Sequence, residues 1–512
     1  MTERRPDDAR LFAAMAQAVN RALDDPAWFC SAILKSQNHP WQTDFMESIA
    51  DLGRIRRGEA PKVNLAGRKR FTVRAGHGKG KTHCLAKIVL WWNFTRQGRI
   101  VCTAPKEQQL KTRLWPEIRK LVYGSGKEIK KLIDVQETKI QWGGADEKRD
   151  WVAYAETASN PENLAGHHHP WQLVIVDEAS GIDERFVATI EGAITLDTNV
   201  LILSGNTTRT EGEFYASHMK ARTRDLYYAK HVKWDEAPTD MAKWGQDMIH
   251  KYGPQSPVVK VRLFGEFVDM AEGQLLSLEW IENARLRDIG GDGSIPHLRV
   301  SVDVADGGED ETVVTVAKVY ATRIDLLAMK RFSFEQSKSP IEAGKAAMRI
   351  GEAWGFDKKH DLYIVDAMGV GAGTAGYLME KQEPVVAYRG GEASDDPVQW
   401  RNRRTQSYLV MRNAFRDGTI AIADEFAADD RDWIDFTGQM ASITVKPGTE
   451  RVEDLETKQN MKRRGAKSPD IADSCAMLFV GHRPALTKSR FASSPRVEAT
   501  PGIGAEMEGE LL

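Results

Sequence analysis
The sequence predicts an α/β protein built as two units in tandem, on three observations. Apolar strand-like runs alternate with helical patterns through the first half, which implies a parallel-type sheet with crossovers. A stretch at 271–295 then loses the pattern and carries GQ, IGGDGS and IP, as a linker does. A new set of apolar runs follows it. The 512 residues suffice for two or three domains, each with its own core. The predicted organisation is a helical segment at 1–28, a first unit at 29–270, a linker at 271–295, a second unit at 296–483 and a disordered tail at 484–512.

Each element has its reason. LFAAMAQAVNRAL, near the N-terminus, spaces its apolar residues as a helix does. FTVRAGHGKGKTHCLAKIVLWW, from 71, reads as strand, glycine-rich turn and helix. RIVCTAP at 99–105, WQLVIVDEAS at 171–180 and NVLILSGNTT at 199–208 read as further strands. In the second unit, LRVSVDVADGGEDETVVTVAKVY predicts two strands joined by an acidic, glycine-containing turn. DLYIVDAMGVGAG predicts a third strand ending in Asp, and SPDIADSCAMLFVG a helix that begins after its Ser-Pro.

Composition narrows the class. Hydrophobic residues are 41% and charged residues 28%, as in ordinary globular proteins. No apolar run approaches the ~20 residues of a membrane helix. MTERRPDDAR lacks the apolar core of a signal peptide, so the chain is expected to stay in the compartment where it is made. Cys30, Cys84, Cys102 and Cys475 stand at no zinc or redox spacing and read as small buried residues in a reducing cytoplasm. Net charge is −2, so a nucleic-acid partner would have to meet local basic patches. Candidates are 66–81 (Arg68, Lys69, Arg70, Arg74, Lys79, Lys81), 401–404 (Arg401, Arg403, Arg404) and 462–467 (Lys462, Arg463, Arg464, Lys467). Taken alone, each reads as a solvated charge run.

RAGHGKGKT, 74–82, has the form of a phosphate cradle, with Ala75 where glycine is usual. Gly76, Gly78 and Gly80, with His77 and Lys79 between them, let backbone N–H groups wrap phosphates. Lys81 would reach the β and γ phosphates, and Thr82 would offer its hydroxyl to Mg²⁺. The helix that follows aims its positive end at the anion. VIVDEA then places Asp177 and Glu178 after four apolar residues. Asp177 would hold Mg²⁺, and Glu178 would orient and deprotonate the attacking water. Ser204, Gly205, Asn206 and Thr207 end another strand, where polar groups can sense a γ-phosphate; alone they read equally as a strand-to-loop turn. His167, His168 and His169 are adjacent, so they converge poorly on one ion and read as a packed loop.

The second unit supplies carboxylates at element ends. Asp303 lies inside the apolar strand run VSVDVA, Asp366 ends YIVD, and Asp470 and Asp473 share one helix face at i, i+3. Asp306, Glu309 and Asp310 crowd the turn after Asp303. A buried carboxylate is costly unless paired, hydrogen-bonded or metal-bound. Any one of these acids could be a cap or an ion pair. Together they suit hard Mg²⁺ or Mn²⁺, and two such ions ~4 Å apart can cleave a phosphodiester.

At this point the chain resembles the bacteriophage large terminase subunits, the motor-nucleases that package viral DNA. The likeness runs from about 39 to 480. It is carried by HPWQTDF (39–45), RAGHGKGKT, TAPKEQQ (103–109), NPENLAGHHHPWQLVIVDEAS, SGNTTRTEGEFY (204–215), FGEF (264–267), SVDVADGGEDET, VDAMGVGAG and LETKQNMKRRGAKSPDIADS. The resemblance implies an ASCE-type P-loop ATPase followed by an RNase H-like nuclease domain. It gives Trp41 and Gln42 a role near the adenine and makes SGNTT the coupling motif. It makes Asp303, Asp366 and Asp470 the nuclease metal ligands, with Asp473 the alternate. It also implies ATP with Mg²⁺, two divalent ions in the nuclease site and double-stranded DNA as substrate. The implied partners are a portal ring, a small terminase subunit and further copies of the chain in a ring on the portal, with no membrane. The expected setting is the host bacterial cytoplasm, transiently at the procapsid. One departure is His77, where many members of the family carry Arg. Arg74 stands just upstream, so the arginine finger is either Arg74 or a residue of a neighbouring subunit.

The expected activity is therefore ATP-driven DNA translocation with metal-dependent cutting that reads backbone rather than bases. Two other readings stay open. A helicase-like nucleic-acid-dependent ATPase with structural C-terminal acids would hydrolyse ATP without cutting. A nucleotide-binding assembly switch would show negligible turnover.

Overall fold
The computed structural model describes residues 6–142, 151–157, 169–236, 241–270, 273–305, 310–333, 339–446, 452–463 and 468–481. His167, His168, Asp306, Glu309 and the tail lie outside them. The first unit is one eight-stranded sheet. Its strands are β1 Arg70–Ala75, β2 Arg99–Ala104, β3 Ile133–Val135, β4 Lys139–Trp142, β5 Val152–Thr157, β6 Gln172–Val176, β7 Val200–Gly205 and β8 Tyr227–Val232. They lie in the order β3-β4-β5-β2-β6-β7-β1-β8. From β5 to β8 every pairing is parallel; only β3 and β4 add an antiparallel edge.

The central strands show why. QLVIV of β6 and VLILSG of β7 are buried along their whole length, as strands covered on both faces must be. The helix Lys81–Arg96 is buried from Cys84 to Arg96 because the sheet covers one side and the N-terminal helices the other. Trp91 donates its indole N–H to the Ala22 carbonyl at 2.6 Å and so fastens the helix Pro6–Asp24 to it. Each fully buried Ile, Leu or Val in such a core contributes about 1.5–3 kcal/mol.

The second unit is a six-stranded sheet of β9 His297–Asp303, β10 Glu311–Val319, β11 Ile324–Ser333, β12 Leu362–Asp366, β13 Val385–Tyr388 and β14 Ile420–Ile422. Their order is β13-β12-β9-β10-β11-β14. β9, β10 and β11 form an antiparallel meander, with β12 parallel to β9, β13 parallel to β12, and β14 parallel to β11. Along β10, Val313, Ala317 and Val319 face the helices Arg403–Asp417 and Asp470–Met477. Val314 and Val316 face Pro340–Ala353 and Gly371–Glu380 on the other side. The period of two explains how so apolar a run serves two cores.

Within 271–295 the chain forms a helix, Leu278–Leu286, capped by the Ser277 hydroxyl, which accepts from Trp280 N at 3.1 Å. Leu275, Leu276, Ile281 and Ala284 pack into the core of the second unit. The two units also meet directly. Ile434 of the helix Asp430–Ser442 packs among Met248, Val258, Val259 and Leu263. Asp435 accepts from Tyr252 Oη at 2.7 Å and pairs with Arg331 at 2.9 Å. Among the described residues, no helix is long and apolar enough to cross a membrane. All four cysteines are buried and unpaired, and burial pushes the Cys30 thiol up to about 11.

Candidate active sites
The first site forms where β1, β6 and β7 release the chain at their carboxyl edge. β7 lies between β1 and β6, which brings Asn206 between the phosphate loop and the acids. Gly78 and Gly80 hold φ of 70° and 78°, a left-handed backbone that glycine adopts without strain. Gly76 is fixed for another reason: a Cβ there would come within 2.4 Å of the Arg262 carbonyl oxygen. Lys81 folds back on the loop and donates to the carbonyls of Ala75 (3.1 Å) and Gly76 (2.8 Å) and to Asn206 Oδ1 (2.8 Å). Burial pushes the Lys81 ammonium down to about 8, with Glu178 and Asp177 opposing. These are contacts that a phosphate can replace.

Asp177 is buried, and burial followed by the Glu178 charge raises its carboxyl to about 6, with Lys81 opposing. Glu178 has φ 50°, a backbone that costs a non-glycine residue about 1–3 kcal/mol. Its carboxylate is held at both oxygens: Arg113 Nη1 lies 3.2 Å from Oε1, and Asn206 Nδ2 lies 3.4 Å from Oε2. Asn206 thus touches both Lys81 and Glu178. Thr207 donates to the Glu266 carbonyl at 2.7 Å, which ties the segment after β7 to the end of the first unit. Gly205 and the buried Ser204 end β7 beside them.

The other predicted nucleotide residues are spread around this loop. Gln42 accepts from His39 N and donates to the Gly80 carbonyl at 3.0 Å, so it reaches the loop. Trp41 is buried in the core beneath, and its indole N–H has no partner among the described residues. Thr82 is the second residue of the helix that follows the loop. His77 is half-buried beside Arg262, and desolvation followed by the Arg262 charge lowers it well below its ordinary value, which keeps it neutral. Lys79 turns away, 3.7 Å from the centroid of the Trp234 ring. Arg74 also turns away from Glu178: it lies over the Phe267 ring at 5.3 Å and approaches His231.

The second site collects acids at the other sheet. Asp303 and Asp366 end the paired parallel strands β9 and β12. The helix Asp470–Met477 lies across β9 and β10 and sets Asp470 and Asp473 in its first turn beside them. Asp470 accepts from the Ser468 hydroxyl and from Glu311 N at 3.2 Å. Burial, with Asp473, Asp470 and Asp366 adding, raises the Asp303 carboxyl well above its ordinary value against the pull of Lys458. Burial also raises Asp366 and Asp470. Asp473 differs. It accepts from Tyr408 Oη at 2.6 Å and Arg404 Nε at 3.2 Å, and it pairs with Lys458 at 2.7 Å. Burial pushes it up, but Lys458 and Arg404 outweigh that and hold it at about 2.

Among the described residues, no three groups stand close enough as placed to hold one ion. The donors fit a hard divalent ion in kind, since all are carboxylate oxygens and burial beside further carboxylates disfavours the charged form of Asp303 unless a cation joins it. Lys458, Tyr408, Arg404 and Arg113 are site residues that the motif reading did not single out for these roles. Lys458 lies inside the LETKQNMKRRGAKSPDIADS stretch, and Arg404 inside the 401–404 patch. That patch is less free than a charge run suggests: Arg404 turns inward to Asp473, and Arg403 pairs with Glu392 at 3.0 Å. In 66–81, Lys69 pairs with Asp197 and Arg70 with Glu191, while Arg68 donates to the Tyr227 carbonyl.

A phosphate-loop sheet with acids after β6, followed by a meander sheet with acids after β9 and β12, defines a P-loop ATPase fold joined to an RNase H-like nuclease fold. The helicase-domain model of the RNA cytidine acetyltransferase NAT10/TcmA family matches residues 72–212. Over 436 residues the chain is 29% identical to the "Probable terminase, large subunit" of Enterobacteria phage P7, covering 81% of this chain and 85% of that one. Over most of its length the chain is thus similar to a bacteriophage large terminase subunit. Among solved structures, the large terminase of a thermophilic bacteriophage in complex with ADP aligns with 85% of this chain and 99% of its own, at 13% identity and TM-score 0.38. The nuclease domain of the large terminase subunit of bacterial virus Sf6 aligns with 41% of this chain and 100% of its own, at 20% identity and TM-score 0.33.

Proposed function
We propose that the chain is a DNA-packaging motor and nuclease. ATP hydrolysis in the first unit, 29–270, drives double-stranded DNA into a procapsid. The second unit, 296–483, cuts concatemeric DNA. The observation that carries this reading is the pairing, on one chain, of a phosphate loop facing Asp177 and Glu178 with a separate carboxylate cluster around Asp303. The relation to the phage P7 protein supports it.

In the first unit Lys81 exchanges its carbonyl and Asn206 contacts for the β and γ phosphates. Gln42 and Trp41 serve the adenine end. Thr82 and Asp177 would hold Mg²⁺. Glu178 orients water and takes its proton. Asn206, in touch with Lys81 and Glu178, registers loss of the γ-phosphate and passes it through Ser204, Gly205 and Thr207 to the chain at Glu266. In the second unit Asp303, Asp366 and Asp470 would hold two Mg²⁺ or Mn²⁺. Bound there, such ions activate water and stabilise the leaving oxygen of a phosphodiester. Asp473, the alternate ligand, keeps Lys458 and Arg404 at the site's edge. The partners on this reading are a portal ring, a small terminase subunit and further copies of the chain, in the host cytoplasm and transiently at the procapsid.

The test incubates the full chain with plasmid DNA and Mn²⁺ or Mg²⁺, beside an ATPase assay. Metal-dependent cutting that Asp303→Ala loses while ATPase persists is the expected result. The match of 72–212 to a helicase domain favours one other reading, a nucleic-acid-stimulated ATPase. Robust ATPase without cutting in either metal, even with small subunit or portal added, would establish that reading instead.

A further inference from the structure
We infer that Arg113 is the positioning residue for Glu178, and that Asp430 of the second unit helps to hold it there. The inference rests on the ATPase reading above. Arg113 lies on the helical turn Leu110–Leu114, nine residues after the end of β2, the strand beside β6. The parallel pairing delivers both at the same sheet edge. One guanidinium nitrogen, Nη1, meets Glu178 Oε1 at 3.2 Å. The other, Nη2, lies 4.0 Å from Asp430 Oδ1, at the start of the helix Asp430–Ser442. A single side chain therefore bridges an acid of each unit.

A general base works only when its lone pair faces the water it deprotonates. Glu178 needs such guidance because its left-handed backbone leaves the carboxylate at the tip of a sharp turn. Asn206 steadies one oxygen through a 3.4 Å contact, and that asparagine is shared with Lys81. When Lys81 moves onto a phosphate, Asn206 is free to shift, and Arg113 is the contact that stays. One cleft is lined by His77 of the loop together with Arg113, Glu178, Asn206, Arg262 and Asp430, so the second unit contributes to the wall beside Glu178. Asp430 is largely exposed, which makes its pull on Arg113 modest and open to change when the units shift.

The test is steady-state ATPase of the full chain with DNA, comparing wild type, Glu178→Gln, Arg113→Ala, Arg113→Lys and Asp430→Asn. Glu178→Gln should abolish turnover. Arg113→Ala should lower kcat about tenfold, a part of what a general base supplies, with KM for ATP changed less than about twofold. Arg113→Lys should recover part of the loss. Asp430→Asn should lower kcat about two- to fivefold and have no further effect in the Arg113→Ala background. An unchanged kcat in Arg113→Ala, beside a dead Glu178→Gln, overturns the inference alone. A raised KM at constant kcat also overturns it, by placing the guanidinium on the nucleotide. Additive losses in the double variant overturn the link to Asp430. A wild type that hydrolyses no ATP overturns the ATPase reading and this inference with it.

Discussion

Asp177 and Glu178 follow β6, and Asp303 and Asp366 end β9 and β12, so both acid sets occupy the carboxyl edge of parallel strands. They differ in what neutralises them. The first set has its own cations within reach, Lys81 and Arg113, and Asp177 rises only to about 6. In the second set Lys458 and Arg404 bind Asp473, which leaves Asp303 beside further carboxylates with its proton held well above the ordinary range. A site that carries an exchangeable cation can wait for an anionic ligand. A site whose cations are already engaged has a charge deficit that a metal ion would fill.

The largest expected effect tests that contrast directly. Lys81→Ala should lower ATP hydrolysis roughly a thousandfold and leave cutting intact, whereas Asp303→Ala should do the reverse. Assaying both activities on both variants checks it, and a loss of both activities in either variant would mean the sites are not independent. A third carboxylate sharpens the comparison from the structural side. Asp51 accepts from Lys62 N (2.8 Å), Val63 N (2.7 Å), Asn64 N (2.7 Å) and Arg54. Burial raises it, but those donors outweigh burial and lower it. Asp51→Asn should cost about 2–3 kcal/mol at neutral pH. A lowered folded value means this stability is present above the unfolded pKa of ~3.9 and is lost as pH falls through the folded one. The gap between wild type and variant in denaturant melts should therefore close in acid.

Lys458→Ala should cost about 1 kcal/mol, since that side chain is partly exposed and Arg404 remains on Asp473. Adding Asp473→Asn should recover part of the loss in the same melts. The smallest effect is expected from Gln42→Ala, a rise of about threefold in KM for ATP with kcat nearly unchanged. A fall in kcat instead would place Gln42 in the chemistry rather than in binding.

What the sequence made legible follows from distance along the chain. The phosphate loop and Asp177-Glu178 are contiguous signals with a strand before them, and strands β1, β2, β6 and β7 fall where the apolar runs are. Asp303 within an apolar strand run, and Asp366 and Asp470 at element ends, were visible because burial makes such acids costly. Arg404 showed only as part of a basic patch and Lys458 not at all, because their partner Asp473 lies 69 and 15 residues away and no local pattern encodes the pairing. Arg113 was hidden for the same reason. The antiparallel edge of β3 and β4 is too short to show as a run. The helix Leu278–Leu286 was masked by the glycines and proline that follow it, although Leu278 and Ile281 already stood three apart behind the cap Ser277, with Leu275 three residues ahead of Leu278.

That helix has a practical consequence for anyone dividing the molecule. Leu275, Leu276, Ile281 and Ala284 fill seats among Phe415, Ile422, Trp433 and Met440. A nuclease fragment starting at residue 296 would bare that apolar trough to water, and at about 1.5–3 kcal/mol for each large side chain it would be prone to aggregate. A fragment that keeps 275 onward retains the plug and should stay monodisperse. Such a fragment carries Glu282, Arg285, Leu286, Asp430 and Trp433 with it, so part of the wall of the cleft beside Glu178 travels with the second unit.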